Sequence, residues 1–101
     1  MSDLRTVATV ADLVEGTGMM IEVGVREIAL FNVGGVFHAI ENTCCHRGGP
    51  VGDGDLEGAI VSCPWHGWRF NVASGECLNS PGDRLRTYEV VVEGTAVRVR
   101  L

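Results

Sequence analysis

Short runs of apolar residues, broken by glycine, follow one another along most of this chain. GMMIEV (residues 18–23) and EIALFNV (27–33) are separated by GVR, and VFHAIEN (36–42) follows across Gly34 and Gly35. Two adjacent glycines accept the positive φ angles of a two-residue hairpin turn. The pattern therefore predicts a hairpin at each of these two connections.

The second half of the chain has the same organisation. GAIVSC (58–63) and WRFNV (68–72) are rich in apolar residues, and Ala73-Ser74-Gly75 indicates the turn after them. LRTYEVVV (85–92) and AVRVRL (96–101) flank a glycine-containing turn, and apolar and arginine positions alternate in the last run. Alternation of this kind is typical of a strand with one buried face.

These runs predict an all-β fold of small antiparallel sheets, arranged as a sandwich or a partial barrel. The one helix candidate is a turn at VADLVEG (10–16), with Asp12 as its candidate cap. Residues 42–55 and 63–67 suit loops rather than strands. Because 101 residues without a linker or repeat correspond to one ordinary domain, we expect a single domain over residues 1–101.

The charge and the hydrophobic pattern exclude some partners. Thirteen Asp and Glu residues against eight Arg give a net charge of −5, and the arginines form no run, which disfavours nucleic acid as a partner. No apolar run approaches the roughly 18 residues of a membrane-spanning helix, and the N terminus lacks the layout of a secretory signal. We therefore expect a cytoplasmic protein without a membrane partner, in which cysteines bind metal more often than they pair.

Two loops each carry one Cys–His pair. CCHRGGP contains C-x-H, with Cys44 and His46, and CPWHGWRF contains C-x-x-H, with Cys63 and His66. Four such donors could surround one zinc ion or a small cluster, although zinc motifs usually pair like ligands as C-x2-4-C and H-x3-5-H. A Cys and a His from each loop suit a two-iron centre, in which one iron binds both thiolates and the other binds both imidazoles.

The sequence from residue 44 to residue 78 resembles the cluster-binding region of the Rieske family, and the whole chain is similar to its small soluble ferredoxins. The resemblance implies a Rieske-like fold, with a two-loop cluster-binding subdomain over about residues 42–81 inserted in a β base. It also implies one [2Fe–2S] cluster, with Cys44 and Cys63 on one iron and His46 and His66 on the other. Cys77 is expected to be a small strand residue rather than a ligand.

The resemblance also implies which residues surround the cluster. Gly48 and Gly67 would let backbone N–H groups approach the sulfides, because they have no Cβ. Arg47 is typical of the C-x-H-R-G loops of the family, and Pro81 resembles the proline of a loop that covers the cluster. Trp68 and Phe70 complete this set.

The chain departs from the high-potential members of the family at four positions. Gly49 and Trp65 stand where those members have a disulfide, and Trp68 and Phe70 stand where they have hydroxyls that donate to cluster sulfurs. Without those donors, we expect a potential toward the low end of the roughly −150 to +300 mV Rieske range.

The function implied by the resemblance is electron transfer rather than catalysis. The expected donor is a flavin-containing NAD(P)H reductase, and the expected acceptor is a terminal Rieske-type oxygenase, both in transient contact. One alternative is the small Rieske subunit of an NADH-dependent nitrite reductase. Another is a structural-zinc or redox-sensing interaction module.

Overall fold

The computed structural model describes residues 4–44, 48–65 and 67–101. Among these residues the chain forms β-strands and two single turns of 3-10 helix, Val10–Asp12 and Val51–Asp53, with no α-helix. The strands are β1 (Leu4–Thr9), β2 (Thr17–Val23), β3 (Arg26–Val33), β4 (Val36–Glu41), β5 (Asp55–Glu57), β6 (Ile60–Ser62), β7 (Arg69–Asn71), β8 (Thr87–Glu93) and β9 (Ala96–Arg100). In this part of the chain, no helix has the length and apolar character needed to cross a membrane.

The strands form two antiparallel sheets, which confirms the all-β prediction. The larger sheet has the strand order β1-β9-β8-β4-β3-β2 and forms a half-barrel. The smaller sheet has the order β5-β6-β7. The hairpins predicted at residues 24–26 and 34–35 are confirmed as β2–β3 and β3–β4, and β8 pairs with β9 as the glycine-containing turn indicated.

The structure differs from the sequence pattern in three places. β1 is a strand that the pattern did not indicate, because LRTVAT has no fully buried face. Asp55, expected in a loop, begins β5. VADLVEG forms the predicted turn, but only over Val10–Asp12 and as 3-10 helix; the Asp12 carboxylate accepts the Thr9 N–H at 2.9 Å.

Strand β3 divides the apolar residues into two cores. Ile28 and Leu30 face the barrel core, whereas Ala29 and Phe31 on the opposite face belong to the core beneath the smaller sheet. Neighbouring residues of a strand point to opposite faces, so an almost continuous apolar run is required where both faces are buried. β3 thus anchors the smaller sheet and its loops directly on the barrel.

A close backbone contact fixes the smaller sheet at this junction. Asn42 is buried, and its Oδ1 accepts the Gly52 N–H at 2.8 Å. A Cβ on Gly52 would lie 2.8 Å from that oxygen and 3.0 Å from the Met20 nitrogen. The segment before β5 therefore packs against β2 at a distance that only glycine allows.

Candidate metal centre

The two cysteine loops close with the same hydrogen-bond pattern. In the first, Cys44 N–H donates to the Gly49 carbonyl at 2.9 Å and Gly48 N–H donates to the Cys44 carbonyl at 2.8 Å. In the second, Cys63 N–H donates to the Trp68 carbonyl at 2.7 Å and Gly67 N–H donates to the Cys63 carbonyl at 2.9 Å. The two loops are thus built as equivalent turns, each beginning at a cysteine.

Glycine is required in both turns for its conformation. Gly48 has φ +75° and Gly67 has φ +73°, and this left-handed region is disfavoured for residues with a Cβ. Their own N–H groups close the turns on the cysteine carbonyls. Close approach of these two N–H groups to sulfides, which the sequence suggested, remains a prediction.

Cys44 and Cys63 are each 3% exposed and lie in the same apolar core. The loops meet at Gly49, where a Cβ would lie 2.6 Å from the Cys63 Sγ and 3.0 Å from the Trp65 Cγ. The backbone of the first loop therefore runs directly beside the thiol of the second. Two thiols in facing turns fit an iron–sulfur cluster, because cysteine thiolates are its principal ligands.

The other two predicted ligands are the histidines. His46 and His66 lie outside the described residues, as do Cys45 and Arg47. Among the residues that are described, no three His, Cys, Asp or Glu side chains form a metal-binding group. The assignment of all four ligands therefore remains a prediction, although both described cysteines lie in matching turns.

Trp68 and Phe70 follow the second turn and belong to its supporting core. Phe70 is fully buried in β7 and pairs with Val61 across the smaller sheet. Trp68 is half-buried and packs against the same core. Phe70 therefore lies in the core that holds the two cysteine thiols, and Trp68 packs against that core.

Cys77 and Pro81 belong to the segment after the smaller sheet. Cys77 is buried and forms an isolated β-bridge with Phe70, which agrees with a small residue in an extended segment. Pro81 is exposed in a turn in which Ser80 Oγ donates to Asp83 Oδ2 at 2.6 Å. Pro81 and Cys77 line the same cavity of about 310 Å³.

Sequence reasoning missed the contact of Gly49 with Cys63 and Trp65. In the sequence, Gly49 and Trp65 stand out only as positions at which the high-potential proteins that the chain resembles have a disulfide. Their proximity depends on how two loops meet, which no local pattern reveals. The one indication in the sequence was that this disulfide joins the positions that correspond to residues 49 and 65, which implies that they lie close together.

Known proteins match most of this chain. The Rieske [2Fe-2S] domain family matches residues 3–89. The ferredoxin component of naphthalene 1,2-dioxygenase/salicylate 5-hydroxylase systems from Ralstonia sp is 36% identical over 95 residues, which cover 93% of this chain and 91% of that protein. Apoptosis-inducing factor 3 of Mus musculus is 38% identical over 96 residues, but the chain spans only 16% of its length.

Solved structures have the same fold. A chain from the complex of reduced oxygenase and oxidized ferredoxin in carbazole 1,9a-dioxygenase superposes with a TM-score of 0.87 at 35% identity, covering 95% of this chain and 91% of the other. A putative NADH-dependent nitrite reductase small subunit from Mycobacterium tuberculosis has a TM-score of 0.90 at 22% identity, covering 100% and 96% of the two chains, a likeness of fold alone. With its two matching cysteine turns and a family match over residues 3–89, this chain belongs to the Rieske [2Fe-2S] domain family.

Proposed function

We propose that this chain is a one-electron carrier that holds a single low-potential [2Fe–2S] cluster. In this proposal the whole chain, residues 1–101, is one Rieske domain whose cluster-binding loops span about residues 42–81. Electrons pass from a flavin-containing NAD(P)H reductase to a terminal Rieske-type oxygenase in the cytoplasm. The ferredoxin component from Ralstonia and the oxygenase–ferredoxin complex support the oxygenase as acceptor.

The observation that carries the proposal is the pair of equivalent turns at Cys44 and Cys63. Each turn buries its cysteine and is closed by a glycine with positive φ. Each also contains one histidine in sequence, His46 in the first and His66 in the second. In the proposed centre, the cysteines bind one iron and the histidines bind the other, which is the ligand set of Rieske clusters.

The protein would contribute a rigid, dry support on the cysteine side. Burial of the two thiols in a core with Val51, Val61 and Phe70 keeps water away from them. Such a cluster supplies one reversible electron. Because the turns are fixed by backbone hydrogen bonds, little rearrangement of the chain is expected between the two oxidation states.

The experiment that tests the carrier function is a reductive titration of the purified protein with dithionite, followed in the visible spectrum. We expect one electron per chain and full recovery of the spectrum on reoxidation. A protein that takes up no electron, or that loses its iron irreversibly on reduction, would contradict the carrier function.

The role as a transient carrier is tested by purification of the endogenous protein. We expect it to separate from its partners, because a shuttle must release both of them. A stoichiometric complex with a large flavin- or haem-containing enzyme would instead identify a fixed subunit.

A further inference from the structure

A cleft with two arginines opens at one end of the barrel. It encloses about 330 Å³ where β3 and β8 begin and β4 ends. Its lining residues are Val25, Arg26, Glu27, Glu41, Thr43, Arg86 and Tyr88. Thr43 directly precedes Cys44, so the cleft adjoins the base of the first cysteine turn.

The two guanidinium groups are held against one tyrosine ring. The Arg26 Cζ lies 6.0 Å and the Arg86 Cζ lies 5.3 Å from the centroid of the Tyr88 ring. Arg26 Nη1 also donates to the Tyr88 hydroxyl oxygen at 3.3 Å. Tyr88 is only 9% exposed and packs in the barrel core, so the ring is a fixed platform for both cations.

Neither arginine forms a salt bridge within the described part of the chain, although the protein is rich in acidic residues. Glu27 and Glu41 also line the cleft, and the Glu41 Oε1 accepts the backbone N–H of Arg86 at 3.0 Å. Other arginines do pair with carboxylates: Arg84 with Glu76 at 3.8 Å, Arg98 with Glu93 at 2.7 Å, and Arg100 with Glu89 at 2.7 Å. The guanidinium groups of Arg26 and Arg86 can therefore donate hydrogen bonds to an acceptor on another molecule.

We propose that this cleft binds a carboxylate side chain of the electron-transfer partner, an inference that rests on the proposed carrier function. The planar guanidinium group matches a carboxylate with two parallel hydrogen bonds. Stacking on Tyr88 restricts both side chains in advance, which lowers the entropy lost on binding. On a chain of net charge −5, these two arginines, which share the cleft with Glu27 and Glu41, would fix the orientation of a partner beside the first cysteine turn.

The test uses the only tyrosine of the chain as a reporter. Cluster-containing protein with ¹³C-labelled tyrosine is titrated with a triglutamate peptide at low salt, and the ring signals are followed by NMR. We expect a saturable shift of the Tyr88 signals that high salt suppresses. Absence of a saturable shift would overturn the proposal.

Matched variants assign the effect to the cleft. Arg86→Gln should weaken peptide binding roughly tenfold, the loss expected for one charge-assisted hydrogen bond, while Arg86→Lys should keep part of it. Arg100→Gln removes an arginine that already pairs with Glu89, and should leave binding unchanged. Equal weakening by Arg86→Gln and Arg100→Gln would mean a general charge effect and would refute the site.

Two further readouts separate the possible failures. Inorganic phosphate, titrated in the same way, should bind more weakly than the peptide; equal or tighter binding would indicate a small free anion instead of a protein carboxylate. The iron and sulfide content of each sample tests the carrier function separately. A normal cluster without a shift at Tyr88 refutes only the cleft, and a missing cluster refutes the carrier function.

Discussion

At the scale of single residues, the chain places three described cysteines in one apolar core but in different backbone settings. Cys44 and Cys63 begin equivalent turns, whereas Cys77 lies in an extended bridge with Phe70. All three are at most 5% exposed, so burial does not distinguish them. Backbone geometry separates the two cysteines that we propose as ligands from Cys77.

This distinction predicts different effects of two matched substitutions. Cys63→Ser should abolish iron and sulfide binding, because it removes a thiolate ligand. Cys77→Ser should keep the cluster and cost only the free energy of a buried hydroxyl, about 1–3 kcal/mol. Iron analysis and the visible spectrum of both variants check this, and equal cluster loss in the two would contradict the ligand assignment.

The second prediction concerns the effect of residue 70 on the reduction potential of the proposed cluster. Phe70→Tyr would add a hydroxyl in the core that holds the cysteines. A hydrogen bond to a charged acceptor is worth about 1.5–3 kcal/mol, which corresponds to about 65–130 mV for one electron. We therefore expect Phe70→Tyr to raise the potential by about that amount in protein-film voltammetry.

The control for Phe70→Tyr is Phe37→Tyr, because Phe37 packs against the barrel core instead. It should leave the potential unchanged. A potential that does not rise in Phe70→Tyr, or that rises equally in both variants, would contradict a hydrogen bond from position 70.

At the scale of elements, the hairpins could be predicted from the sequence because they depend on adjacent residues. Gly34 and Gly35 lie between two apolar runs, and both have positive φ in the structure. The positions of β1 and β5 could not be predicted, since neither strand has a clear apolar face. The arginine cleft was equally hidden, because Arg26 and Tyr88 are 62 residues apart in the chain.

The meeting of the two loops gives a prediction at this scale. Gly49→Ala would place a Cβ 2.6 Å from the Cys63 Sγ. Overpacking of this kind usually costs about 1–3 kcal/mol, and here it would displace a thiol that we propose as a ligand. We expect a lower iron content per folded chain and faster bleaching of the visible spectrum on warming.

Gly52→Ala is the matched control for Gly49→Ala. Its Cβ would be similarly crowded, 2.8 Å from the Asn42 Oδ1, but at the contact with β2. It should lower the melting temperature measured by circular dichroism while the folded protein keeps its iron. If Gly52→Ala lost iron as readily as Gly49→Ala, the effect would be global instability rather than contact with Cys63.

At the scale of the whole molecule, a half-barrel supports a smaller sheet; the first cysteine turn follows β4 of the half-barrel, and the second connects β6 and β7 of the smaller sheet. β3 contributes one face to each core, so the core around the cysteines packs directly on a strand of the half-barrel. The family and the candidate ligands could be predicted from the sequence, because C-x-H and C-x-x-H are short motifs. The shared core behind the cysteines could not, since its residues come from separate strands.

The measurement that tests the central claim most directly is the iron, acid-labile sulfide and zinc content of anaerobically purified protein, together with its visible spectrum before and after dithionite. We predict about two irons and two sulfides per chain, little zinc, and a colour that bleaches on reduction. A colourless protein with about one zinc per chain would contradict the electron-transfer function and indicate a structural metal site.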